Sequence, residues 1–265
     1  MKEWYEMKYK EYEGKIEDLV QSKLKEIENK EQVKILYAVE SGSRAWGFAS
    51  SDSDYDVRFI YIRPKIEYLK LEDKKDFIDW ELNEILDING WDLSKALKHF
   101  HKSNASLFEW ANSPIIYYST PEWKEVIQTV NPYFSVKASI YHYYGTAKSN
   151  YQAYFSENRI KYKKYFYVLR PLLCCKWIKE KSCPPPVLFE TLLEEETNEE
   201  LKTLIRELIE RKKQMSEKED GERIDKLDEY IKDNLSYYKE WLEEQKDDRN
   251  PDWKPLNALF LKMLS

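Results

Sequence analysis

The chain has 265 residues, enough for one large domain or two small ones. Hydrophobic residues make up 42% and charged residues 35%, the balance of a globular chain with a strongly charged exterior, and the net charge of −6 (pI about 5.4) disfavours a surface that wraps duplex nucleic acid as a whole. Lys2 follows the first residue with no apolar signal core behind it, no apolar run nears the roughly 20 residues that span a bilayer, and three cysteines, two of them adjacent (Cys174, Cys175), make no disulfide framework; a reducing cytoplasm is therefore expected.

Residues 4–30 are rich in Glu and Lys, with Ile16, Leu19, Val20, Leu24 and Ile27 at steps of three and four, which predicts a helix with one buried face. Residues 33–39 (VKILYAV) and 57–62 (VRFIYI) are rich in β-branched and aromatic residues and read as strands. Between them lies SGSRAWGFASSDSDYD, with two of the six glycines, Gly42 and Gly47, and aspartates at the alternate positions 52, 54 and 56. The predicted order is strand, Gly-Ser turn, short helical bridge, then a strand headed by acidic residues. Residues two apart on a strand share a face, roughly 7 Å apart at a rise of about 3.3 Å per residue. Asp54 and Asp56 would thus project together, with Tyr55 opposite. Adjacent carboxylates repel unless a cation lies between them, and a small set of hard oxygen ligands suits Mg²⁺, which is usually completed by water and substrate phosphate. Free backbone N–H groups at the Gly42-Ser43 turn can receive a phosphate.

This stretch resembles the signature of the DNA polymerase β-like nucleotidyltransferases, a Gly-Ser turn followed by paired aspartates on the next strand. The wording GSRAWG (42–47) and SDYDVRFIY (53–61) is more closely similar to a bacterial branch of predicted nucleotidyltransferases, the YcgL/RlaP group. The resemblance implies an α+β fold: a small mixed β-sheet with helices over about residues 1–118, the nucleotidyltransferase core, followed by an α-helical domain over 119–265 that closes the nucleotide cleft.

Beyond Pro64, residues 65–76 are charged and mixed, a loop or short helix. Residues 77–89 (FIDWELNEILDIN) read as strand with a turn near 81–83, and Gly90 is expected to break it. Asp92 suits the N-cap of a helix over 93–101. A polymerase-like metal site calls for a third carboxylate, for which Asp87 and Asp92 compete; the resemblance favours Asp87, six residues before the leucine that opens Leu93-Ser94-Lys95. Residues 103–118 match a stretch of the same group in which Asn is usually followed by Pro, where this chain has Ala105; Glu109 and Trp110 read as a helix end and a core aromatic, with membership of the site as the alternative. Thr120 and Pro121 open a helix through Val130. A long helix over 135–157 carries Tyr141, Tyr144, Tyr151 and Phe155 at helical steps, a core stripe, with base stacking by one tyrosine as the alternative.

Residues 159–181 are the basic part of this acidic chain, with eight Lys and Arg against one Glu. In the resembled group the helix carrying KKYFYVLR faces the nucleotide, which implies that Lys163, Lys164 and Arg170 meet the triphosphate; the alternative is a solvated basic face. After Pro184-Pro185-Pro186, residues 187–247 predict amphipathic helices joined near 218–221, and residues 256–264 a last short helix. His99 and His101 are two apart and no C-x-x-C accompanies them, so structural roles are expected in preference to zinc. Neither G-x-S-x-G nor a Walker loop occurs.

The expectation is a nucleotidyltransferase that uses Mg²⁺ or Mn²⁺ to move a nucleoside monophosphate from an NTP to an acceptor hydroxyl with release of pyrophosphate. Asp54, Asp56 and Asp87 would hold two metal ions, and Asp87 would help deprotonate the acceptor. Gly42 and Ser43 would seat the phosphates, with charge added by Arg44. The resemblance points to RNA ends as acceptor; protein or small-molecule acceptors, and a catalytically silent nucleotide-binding or toxin–antitoxin module, are the alternatives.

Overall fold

A computed structural model describes residues 15–49, 53–72, 74–83, 85–157, 159–214 and 220–265. The first helix, α1 (Ile16–Glu31), buries Val20, Leu24 and Ile27, the stripe that spacings of three and four predict; residues 4–14 of the predicted helix lie outside the described ones. β1 (Lys34–Ser41) leads through the one-turn α2 (Gly42–Ala45) to β2 (Tyr55–Ile62). A 3₁₀ turn (Lys65–Leu69) follows, then β3 (Phe77–Leu82) and β4 (Leu86–Asp92), the hairpin expected across residues 81–83. Asn83 shapes that turn, its side-chain oxygen accepting from the N–H groups of Ile85 and Leu86 at 2.8 Å.

With β5 (Ile116–Ser119) these strands form a mixed sheet of order β3-β4-β2-β1-β5, in which β2 and β4 run parallel and the other neighbours antiparallel. Both faces are covered. Val57, Phe59, Tyr61 and Ile88 pack with α1. Leu36, Val39, Ile60 and Ile62 pack with α3 (Leu93–His101), α4 (Ala105–Ala111), α5 (Pro121–Val130) and the last helix, α11 (Lys254–Met263). Each such aliphatic side chain, fully buried, contributes about 1.5–3 kcal/mol.

Gly90 does not break β4, contrary to expectation. A Cβ there would overlap the ring of Phe59 on β2, so the glycine permits close approach of ring and backbone within a continuous strand. Asp92 caps α3, accepting from Ser94 N–H at 2.8 Å with one oxygen and from the Tyr68 hydroxyl at 2.8 Å with the other. Asn104 caps α4 through Leu107 N–H, and Ala105 fills the first helical position, where a proline would be equally at home. Thr120 does not cap α5; its hydroxyl donates to Leu36 O and ties the helix to β1.

The helical half has its own core. Ser135 caps α6 (Val136–Tyr154) through Ala138 N–H. The predicted stripe is shifted: Ile140, Tyr143 and Ala147 take the core face, which turns Tyr141 outward to 67% exposure, while Phe155 is buried and Tyr144 and Tyr151 partly so. β6 (Arg159–Lys161) pairs with β7 (Asp220–Glu222). α7 (Lys163–Lys181) lies against α6 and buries Cys174 and Cys175, whose thiols are pushed up by burial. α7 contains Pro171, which has no N–H to give Tyr167 O one turn back; Asn150 of α6 donates to that carbonyl instead, at 3.2 Å. α8 (Phe189–Glu194), α9 (Glu199–Gln214) and α10 (Asp225–Glu244) complete this half, and the junction expected near 218–221 lies partly outside the described residues. His101 stacks on Trp253 at 3.6 Å, and the His99 ring lies 5.0 Å from that of Trp91. Among the described residues no helix is long and apolar enough to cross a membrane.

Candidate active site

The site forms where β1 ends, the chain reverses, and β2 begins. Gly42 turns at φ +63°, a left-handed conformation that side chains disfavour, and a Cβ on it would collide with the Asp56 carboxylate. That carboxylate therefore reaches directly over the turn. Gly42, Ser43, Trp46 and Phe48 line one side of a cleft of about 300 Å³. Ser53, Asp54 and Asp56 line a second side, and Lys163 and Tyr167 of α7 complete it. Asp54 precedes β2 and is exposed, whereas Asp56 lies within the strand.

The remaining predicted residues have other partners. Arg44 stacks on Tyr55, its guanidinium 3.6 Å from the ring centroid, and donates to the carbonyls of Ser53 and Asp54. It braces the aspartate loop. Lys164 lies over Tyr154, with its Nζ 3.7 Å from the ring centroid, and 5.0 Å from that of Tyr167. Arg170 is buried: it pairs with Glu109 of α4 at 2.7 Å and stacks on Trp46. Its place is the junction of sheet and helices, behind the cleft wall, and not the triphosphate position expected of it. Periodicity contained the cause, since Arg170 falls between Leu169 and Pro171 in the most buried part of α7.

Asp87 stands beside Asp56 in the parallel β2–β4 register. The two carboxylates do not meet directly. One guanidinium nitrogen of Arg58, Nη2, donates to Asp56 Oδ1 at 2.9 Å and Asp87 Oδ2 at 2.6 Å, and Nη1 donates to Asp87 O at 2.9 Å and Val57 O at 3.2 Å. Burial pushes Asp56 above the usual carboxylate range, Arg58 opposes this, and the charges of Asp54 and Asp87 add to it.

Behind Asp56 lies Glu40, 1% exposed on β1. It accepts from Asp56 N–H at 2.9 Å and from the Tyr117 hydroxyl at 2.5 Å, and burial raises its pKa to about 7. Neither Glu40 nor Arg58 was singled out from sequence. For Arg58 the signal was present: it lies two residues after Asp56 and thus on the same strand face. For Glu40 there was none beyond its place before the turn. Trp46, Phe48, Ser53 and Tyr167 are likewise cleft residues that sequence reasoning passed over.

Among the described residues no three acidic, His or Cys side chains converge to cage a metal by themselves. Asp54 and Asp56 still suit a hard divalent ion of the Mg²⁺ or Mn²⁺ kind, which takes one or two carboxylates and draws its remaining oxygens from water and phosphate. The side-chain-free backbone of Gly42 under Asp56 leaves room for that arrangement.

The family model of RlaP, described as the RNA repair pathway DNA polymerase beta family, matches residues 16–262, which defines the class as polymerase β-like. An uncharacterized protein of Bacillus subtilis (strain 168), YcgL, is 43% identical over 240 residues, covering 90% of this chain and 92% of that one. The chain belongs to the RlaP family. A solved structure, a nucleotidyltransferase-like protein from Exiguobacterium sibiricum 255-15, aligns at 14% identity and a TM-score of 0.31 over 86% of this chain and 75% of that one.

Proposed function

We propose that this protein is a metal-dependent nucleotidyltransferase that adds a nucleoside monophosphate to an RNA end. The observation that carries the reading is the cleft, where a glycine turn, two aspartates and a lysine from the facing helix share one cavity of nucleotide-phosphate scale. Family membership supports the class of chemistry, and the family's RNA repair description supports the acceptor. Asp54 and Asp56 would hold Mg²⁺ or Mn²⁺, which when bound neutralises charge on the phosphates. Gly42, Ser43 and Lys163 receive the triphosphate. The acceptor hydroxyl oxygen attacks the α-phosphorus, the bond to the bridging oxygen of pyrophosphate breaks, and the hydroxyl proton passes to Asp87. Lys164 between Tyr154 and Tyr167 offers a cation and two ring faces beside the cleft, a pairing that suits unpaired bases. In this reading residues 1–118 are the catalytic core and the helices of 119–265 close the cleft, with α5 and α11 as the part of that half packed on the sheet.

The test is incubation of the full chain with α-labelled NTPs, Mg²⁺ and single-stranded RNA bearing a free 3′ hydroxyl. Label is expected in RNA, with pyrophosphate released, and Asp54→Ala should lower transfer at least 100-fold while leaving the unfolding midpoint unchanged, because Asp54 is exposed. Equal turnover in that variant would refute the assignment; label in protein or a small molecule would move the acceptor. A second reading, a nucleotide-binding module without transfer, draws on Arg58, whose guanidinium ties up two of the three carboxylates. In that case nucleotide binds and label goes nowhere.

A further inference from the structure

We propose that Arg58 is a resident cation that takes the place of one of two metal ions, so that the site operates with a single divalent ion on Asp54 and Asp56. The proposal rests on the nucleotidyltransferase reading and specifies the charge arrangement within it.

The geometry has three parts. First, the parallel register sets Asp56 and Asp87 side by side, and one nitrogen of Arg58 bridges them at 2.9 and 2.6 Å. A cation is thus already present between the two carboxylates. Second, the guanidinium is not held by the carboxylates alone. Its other terminal nitrogen donates to the carbonyls of Val57 and Asp87, on the two strands it spans, so its position is built into the sheet. Arginine suits such a place because its planar fork presents several donors in fixed directions and stays charged at any working pH. Third, the side chain is largely buried, at 17% exposure, so withdrawal would strip two partly buried carboxylates of their partner in a poorly solvated place.

Of the carboxylate oxygens, Arg58 engages Asp56 Oδ1 and Asp87 Oδ2, which leaves Asp54 and Asp56 Oδ2 as the side for a divalent ion. Asp87 then pairs with Arg58 through Oδ2 and acts on the acceptor proton, not as a metal ligand.

The experiment counts ions. Full-length protein is saturated with an NTP analogue carrying a methylene between the α- and β-phosphorus, and Mn²⁺ is titrated in while the electron paramagnetic resonance signal of free Mn²⁺ is followed. One bound Mn²⁺ per protein–nucleotide complex is expected for the native chain and for Arg58→Lys, and two for Arg58→Leu. Two ions in the native complex would overturn the proposal, as would one ion of unchanged affinity in Arg58→Leu. Should Arg58→Leu fail to fold, the native count decides alone. The underlying reading is tested separately: if Mn²⁺ does not tighten analogue binding to the native chain, or tightens it equally in Asp54→Ala, the metal-dependent reading and this proposal fall together, whereas a two-ion native complex removes this proposal only.

Discussion

Glu40 and Gly42 stand on either side of Ser41, and each sets how Asp56 is held. Glu40 is protonated in the folded chain up to about pH 7, whereas an unfolded glutamate loses its proton near 4.5. Between those values the folded chain binds the extra proton, so stability falls as pH rises through that window and levels off above it. The loss is on the order of 3 kcal/mol, at about 1.4 kcal/mol per pKa unit. Asp56, pushed the same way by burial, adds to it. Glu40→Gln should flatten the slope, which thermal unfolding at pH 5 and pH 7.5 would reveal as a smaller difference in midpoint than in the native chain. Gly42→Ala should cost about 1–3 kcal/mol in backbone strain. It should also displace the Asp56 carboxylate, so nucleotide transfer falls more steeply than stability, a split visible by comparing melts with turnover. At this scale the sequence was partly legible. Paired aspartates beside a glycine turn announce themselves because their chemistry depends on spacing. Arg44 and Arg170 show that charge alone does not say whether a side chain meets a ring, a carbonyl or a buried carboxylate.

The strands and helices were more readable than their contacts. β1, β2, α1 and α3 follow from runs of β-branched and aromatic residues, from steps of three and four, and from an aspartate in the capping position. Gly90 shows why local rules fail inside a sheet. Glycine is a poor strand residue by itself, yet here the ring of Phe59 needs the space, and packing overrides propensity. Gly90→Ala should destabilise by about 1–3 kcal/mol, the usual cost of overpacking, with an unchanged denaturant slope in urea melts. On α6 the aromatic spacing misplaced Tyr141, since five tyrosines in 19 residues can support more than one stripe and only the neighbour α7 selects between them.

At the scale of the molecule, the sheet half and the helical half are joined by Arg170, whose partner Glu109 belongs to α4 and also accepts from Tyr143 at 2.8 Å. Arg170→Ala would leave a poorly solvated carboxylate at that junction and should cost about 3–5 kcal/mol, measured by denaturant unfolding. The sequence suggested a clean division near residue 118; α5 and α11 nonetheless lie on the sheet, because a chain folds back wherever an apolar face remains uncovered, and composition does not reveal which face that is. The missing rung in α7 extends this coupling to the cleft. Tyr167 is a wall of the cavity and also the residue whose carbonyl Pro171 abandons, so its hold depends on an amide borrowed from another helix. Asn150→Ala should loosen that wall and raise KM for the nucleotide several-fold with kcat nearly preserved, as steady-state kinetics would show. A point mutation lying outside the cavity would then act as a dial on substrate capture, leaving the acidic end of the site as it was.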